Sequence, residues 1–152
     1  MLRVSKLTDY ATVVMTVLAG LADSGQPEGV LSAQDLAARA RLELPTVSKL
    51  LKQLAHAQLV ESFRGVNGGY RLARVPERIS IADIVIAMEG PIGMTECSAH
   101  AGMCDHETHC GVRVNWQRIN QAIASALAGV TLADMLKPPP KRTVSIPLRM
   151  AI

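Results

Sequence analysis

Apolar positions recur at three- and four-residue steps along SKLTDYATVVMTVLAGLADS, where Leu7, Ala11, Val14, Met15, Leu18 and Ala22 share one broad face. That period predicts a first helix buried along the face. A polar break through Ser24, Gly25, Gln26, Pro27 and Gly29 follows. Ser32, with Asp35 three residues later, then gives the capping pattern that opens a second helix, SAQDLAARA. After a turn from Arg41 to Leu44, Pro45 occupies the first turn of a third helix that runs to about Ala57, where its missing N–H costs no hydrogen bond. Val47, Leu50, Leu51 and Leu54 fall on one side of this helix, and Thr46, Ser48, Lys49, Lys52 and Gln53 largely on the other. Two helices joined so closely predict a helix-turn-helix, whose second helix could enter the major groove of DNA.

The period then shortens. LVESFRG and VNGGYRLAR read as two extended segments around a turn containing Gly65, Asn67, Gly68 and Gly69. Such a turn tolerates positive φ and brings backbone close to a phosphate with no Cβ in the way. Arg64, Arg71 and Arg74 surround it with donors. A helix-turn-helix followed at once by a basic hairpin is the element order of a winged helix. Ser80 and Asp83 repeat the capping pattern for the helix SIADIVIAME, which ends near Gly90 and Pro91.

Further on, Val112, Trp116, Ile119, Ile123 and Leu127 recur at near-heptad spacing on a long helix ending near Gly129. A solitary stripe of this kind needs cover. A twofold partner helix would supply it; the alternative is this chain's own first helix, and the two contacts are compatible. Thr131 and Asp134 start a last short helix, TLADML, before Pro138, Pro139 and Pro140. The expected fold is mainly α. It divides into a winged helix-turn-helix over 1–90, a cysteine-rich loop over 91–111, a long dimerisation helix with the short terminal helix over 112–136, and a tail over 137–152.

With 152 residues, 49% of them apolar, the chain can bury an ordinary core. Sixteen basic against thirteen acidic side chains give a net charge of +3, which is compatible with nucleic acid without establishing it. Arg3 and Lys6 precede the apolar stretch from Ala11 to Ala22, but Asp9 lies before it, Thr16 and Gly20 interrupt it, and it is too short to span a bilayer. The expectation is a soluble protein of a reducing cytoplasm, with no membrane partner. Paired carboxylates, a nucleotide-binding glycine loop and a nucleophile elbow are not recognisable, so an enzyme is not expected.

Cys97, Cys104 and Cys110 are the only cysteines, and all lie in the segment CSAHAGMCDHETHC. Soft ligands concentrated in one polar segment point to a metal or redox centre. An odd number of thiols cannot close entirely into intramolecular disulfides. A structural zinc site or three metal-free thiols is the plainer alternative. His56, on the third helix, reads as a surface residue.

Together these motifs resemble the Rrf2 family of bacterial transcriptional regulators, in particular its branch governing iron-sulfur cluster assembly. The likeness covers about residues 1–136. It rests on LRVSKLTDYA, the helix pair through PTVSKLLKQLAHAQLV, the wing SFRGVNGGYRLAR, ISIADIVIAMEG, and the three-cysteine loop leading into NWQRIN. The resemblance implies major-groove reading through the region of Glu43, Thr46, Ser48 and Lys49, and minor-groove contact by Arg64 and the Gly68 turn. Lys52 and Lys6 would meet backbone phosphate. These are chemically suitable roles, since lysine and arginine neutralise phosphates and short hydroxyl side chains approach base edges.

The resemblance also implies an iron-sulfur cluster, of the 2Fe-2S or 4Fe-4S type, on Cys97, Cys104 and Cys110 with a fourth, weaker ligand. Intervals of six and five residues between these cysteines are loose for a compact zinc knuckle and fit a loop around something larger. Assembly-control regulators place a histidine three residues after the last cysteine. Here Arg113 stands there, and a guanidinium is no ligand. The nitric-oxide-sensing branch carries an aspartate in the first helix, matched by Asp9, which there reaches the cluster from the partner subunit. Asp9 could instead stabilise the start of its own helix. His106, His109, His100, Asp105 and Glu107 are the competing donors within the loop. The implied function is a homodimeric, cluster-sensing repressor of cluster-assembly genes on palindromic double-stranded operator DNA. The alternatives are a nitric oxide or redox sensor and a non-DNA-binding iron-sulfur scaffold or electron carrier.

Overall fold

A computed structural model describes residues 3–23, 29–99, 102 and 104–138, with the side chains of Asp23 and Glu107 excepted. Helix α1, Lys6–Asp23, carries the anticipated apolar face: Ala11, Val14, Met15, Leu18 and Ala19 are buried, and Leu7 packs at its edge. Its interior threonines do not unwind it, because the Thr12 and Thr16 hydroxyls donate back to the carbonyls of Thr8 and Thr12 at 3.0 and 2.8 Å. Helix α2, Ala33–Ala40, starts where Ser32 Oγ accepts from the Asp35 N–H. It stops at Arg41, whose left-handed φ of 54° turns the chain towards the next helix. Helix α3, Leu44–His56, has Pro45 in its first turn and buries Val47, Leu50, Leu51 and Leu54. α2 and α3 pack on each other and both pack on α1. This is the helix-turn-helix that the pattern predicts.

Strands β1, Val60–Phe63, and β2, Gly69–Leu72, form the antiparallel wing, with Val60 opposite Leu72 and Phe63 opposite Gly69. Leu31 extends its edge by exchanging two backbone hydrogen bonds with Tyr70, at 2.8 and 3.0 Å. Helix α4, Ile81–Glu89, opens on a full capping box between Ser80 and Asp83 and packs on α1 and α3. A single turn, α5, Glu96–Ala99, lies in the cysteine segment and rests on the long helix α6, Arg113–Ala128.

Two placements lie beyond what the sequence pattern gives. Helix α7, Leu132–Leu136, packs on α1 and buries Leu132 completely. Backbone bonds from Leu132 N to Ile79 O and from Ile81 N to Val130 O, both 2.9 Å, fasten it to the start of α4. The physical reason is that one short amphipathic turn cannot bury its own apolar side and returns to the nearest core. The second concerns α6. It packs on α4 and α5, and none of its residues is buried. Val112 is 53% exposed, Trp116 37% and Ile119 45%, while Ile123 and Leu127 are half-buried. No helix among the described residues is long and apolar enough to cross a membrane.

The packing of α7 sets an expectation for stability. Leu132→Ala should cost about 2–5 kcal/mol in urea unfolding, as for other fully buried leucines. A loss below about 1 kcal/mol, within the range of ordinary surface substitutions, would place α7 outside the core.

Candidate functional site

The outer face of α3 and the wing lie on the same helix-turn-helix body. Pro45 lets α3 begin without the side-chain cap that its neighbours have, since Glu43 makes no capping bond. Lys49 and Lys52 on α3 are exposed, and Thr46 and Ser48 are half-exposed beside them. Arg64, just after β1, is exposed as well. Lys6 stands over the Tyr10 ring at 5.7 Å from its centroid, which holds its stem near α1 and leaves the side chain exposed.

Not every basic residue near the wing is available. Arg71 donates from Nε and Nη2 to one carboxylate oxygen of Glu61, at 3.1 and 3.0 Å, and stacks 4.6 Å over Phe63. Arg74 donates to the Arg78 carbonyl at 3.2 Å. Both therefore stiffen the base of the wing, and Arg64 is the arginine left facing outward at its turn. At that turn Gly65 has a φ of 110°, and a Cβ on Gly68 would run into the Phe63 carbonyl oxygen and stand 2.9 Å from that of Gly65. Gly68 is fixed by close backbone approach; Gly65 is fixed by its dihedral.

Cys97 lies in α5, Cys104 in the stretch that follows, and Cys110 directly before α6. All three are free thiols and all are half-buried. The Thr95 hydroxyl lies 3.3 Å from Cys97 Sγ and 2.7 Å from Ser98 Oγ. His106 and His109 are exposed, with His109 Nδ1 2.8 Å from the Thr108 hydroxyl. Asp105 is exposed, and so is Asp9 in the first turn of α1. Among the described residues no three His, Cys, Asp or Glu side chains stand together as a metal site. His100 and the Glu107 side chain lie outside the described residues. The donor chemistry, three unpaired soft thiols at the edge of the fold, fits three positions of an iron-sulfur cluster.

Three residues that the sequence pattern does not single out organise this region. Asn120 of α6 accepts from Met94 N–H at 3.1 Å and donates to the Ile92 carbonyl at 3.0 Å, clamping the start of the cysteine segment. Glu89, the last residue of α4, accepts from the Ser5 N–H at 2.8 Å and from the Thr8 hydroxyl at 2.5 Å. The Thr8 hydroxyl and then the Ser5 N–H hold the Glu89 carboxyl below its ordinary value of 4.5. Thr8 is the one buried polar residue among the described residues. Each of these bonds joins residues distant in sequence, so helical periodicity carries no trace of them; only the position of Thr8 on the buried side of α1 could have hinted at a partner.

Comparison with known proteins agrees with this arrangement. The Rrf2 family pattern, described as an iron-dependent transcriptional regulator, matches residues 4–138. An HTH-type transcriptional regulator of Neisseria meningitidis is 33% identical over 132 residues, covering 87% of this chain and 88% of the relative. Among solved structures, CymR, the global cysteine regulator of B. subtilis, superposes with a TM-score of 0.68 at 31% identity over 89% of this chain and 96% of its own. IscR of T. potens does so with a TM-score of 0.64 at 32% identity, over 89% and 86%. A helix-turn-helix, a glycine-turned wing and a matching family pattern over nearly the whole described chain lead to one assignment: the protein belongs to the Rrf2 family of transcriptional regulators.

Proposed function

We propose that this winged-helix Rrf2 regulator is no enzyme, senses an iron-sulfur cluster and, as a homodimer on a palindromic operator, represses genes of cluster assembly. The observation that carries this reading is the location of the three free thiols. They occupy the segment that leads from α4 into α6, the helix whose apolar stripe is left half-exposed. The family description as iron-dependent supports it. Cys97, Cys104 and Cys110 would hold the cluster. The cluster supplies a centre whose occupancy and reactivity change with iron, sulfide and oxidants.

Val112, Trp116 and Ile119 give a twofold partner a surface to cover, and two copies of α3 would then address two half-sites. Thr46 and Ser48 would approach base edges, Lys49, Lys52, Arg64 and Lys6 would neutralise phosphates, and the Gly68 turn would bring the wing close to the backbone. Asp9 is exposed in the first turn of α1 and is the proposed fourth ligand, donated by the partner, because Arg113 cannot ligate. His106, His109, His100, Asp105 and Glu107 are its competitors. An aspartate ligand also favours the second reading, a nitric oxide or redox sensor, since a carboxylate is a weak donor to a soft centre and is readily displaced. A scaffold or electron carrier without DNA binding leaves the winged helix unexplained.

Purification without oxygen should yield iron and acid-labile sulfide together, with a charge-transfer absorption spectrum; zinc without sulfide would sink the cluster reading. Asp9→Ala should retain the three-cysteine site but change that spectrum, whereas an unaltered spectrum would return the fourth position to a loop histidine. At the DNA, Gly68→Ala should weaken operator binding by about 1–3 kcal/mol, the scale of one lost groove contact, and full affinity would remove the wing turn from the interface. Lys49→Ala should lower the slope of log affinity against log salt by about one; an unchanged slope would show that Lys49 meets no phosphate.

A further inference from the structure

Ser5 stands in the capping position of α1: its hydroxyl accepts from the Thr8 N–H at 3.2 Å and lies 3.0 Å from the Thr8 hydroxyl. In a local capping box the residue at the position of Thr8 carries the carboxylate or amide that returns to the N–H of the cap. Here Thr8 has none, and Glu89 supplies the carboxylate from 81 residues away, accepting from both Ser5 N–H and Thr8 Oγ1. The cap of α1 is thus completed by the last residue of another helix.

From Glu89 the chain passes at once into the cysteine segment. Gly90 turns it with a φ of 87°, and Asn120 of α6 clamps Ile92 and Met94. Gly93 lies so close to α5 that a Cβ there would stand 2.8 Å from Ala99 Cα. Thr95 then touches Cys97. A short, continuous series of polar and steric fixings therefore runs from a cysteine thiol to the first turn of α1, which bears Lys6 and Asp9.

We infer that Glu89 is a positioning residue that transmits movement of the cysteine segment to the first turn of α1. The start of α4 is fixed by its capping box and by buried Ile84, so displacement entering from the cysteine side falls on its last turn. Thr8 is only 1% exposed. Ser5 N–H and Thr8 Oγ1 share the Glu89 carboxylate as their acceptor, so when Glu89 moves the first turn of α1 loses that shared fixing and moves or loosens with it. This inference rests on the reading that the cysteine segment holds the sensed group, but its test can be run without that group.

The test uses the full-length, reduced, metal-free protein and reads amide hydrogen exchange at Thr8 and Asp9, whose N–H groups bond to Ser5 Oγ and Ser5 O. Asn120→Ala, which releases Ile92 and Met94, should speed exchange at these α1 amides by about fivefold or more, the lower end of ordinary site-to-site coupling. Glu89→Ala should speed it as well, and adding Asn120→Ala to it should give no further increase. Glu89→Gln keeps an oxygen able to accept both bonds and should restore wild-type rates together with sensitivity to Asn120→Ala. Should Glu89→Ala not fold, Thr8→Val removes one of the two bonds and should blunt the response to Asn120→Ala by itself. Independent, additive effects of the two alanine substitutions, or no effect of Asn120→Ala on α1, would overturn the inference. Loading with ferrous iron and sulfide is a separate arm: failure of the wild-type chain to bind either would reject the cluster reading while leaving the metal-free result intact.

Discussion

Helix α1 gives its apolar face to α2, α3, α4, α7 and the second wing strand, so its placement is the constraint that these elements share. Ala11, Val14, Met15, Leu18 and Ala19 meet the inward residues of α3, Leu36 of α2, Ile84 of α4 and Leu132 of α7 in one cluster. Each large aliphatic side chain buried there contributes about 1.5–3 kcal/mol, and their interdigitation ties the recognition helix and the wing to one body. Displacing α1 would therefore be felt at α2 and α3, which pack on it and carry the proposed DNA-facing surface. The first turn of α1 sets Leu7 against this cluster, and a carboxylate from α4 completes its cap.

That arrangement gives a physical division of labour. Apolar burial fixes the body, while polar bonds fix its connection to the cysteine segment. Polar bonds of this kind are directional and contribute about 0.5–1.5 kcal/mol each, so they can be remade within the energy that ligand binding provides. The stripe on α6 is an apolar surface left partly uncovered among the described residues. Its half-exposed valine, tryptophan and isoleucine lie on the helix that also clamps the cysteine segment through Asn120. A partner subunit covering that stripe and a group bound by the thiols would act on the same joint.

Much of the fold was legible in the sequence because it is encoded locally. Three-and-four spacing marks α1 and α3, a serine or threonine with an aspartate three residues on marks the starts of α2, α4 and α7, and a glycine cluster marks the wing. Non-local packing was not legible. The return of α7 to the core, the use of Arg71 and Arg74 within the wing base, and the support of α6 by α4 and α5 depend on which elements become neighbours, and periodicity is silent about that. The cysteines announced a candidate centre by concentration alone, yet Glu89, Thr8 and Asn120, which connect it to the body, look like ordinary cap, helix and surface residues until their bonds are seen. The polar break at 24–28 and the tail beyond Pro138 lie outside the described residues.

The account depends on the thiol segment and the DNA-facing surface being one coupled device. The most direct measurement is operator affinity of a single preparation, compared in its cluster-loaded and metal-free reduced forms at one fixed salt concentration, since electrostatic binding varies steeply with salt. The account predicts affinities that differ by about fivefold or more, as expected for two linked sites. Equal affinities in the two forms would contradict it.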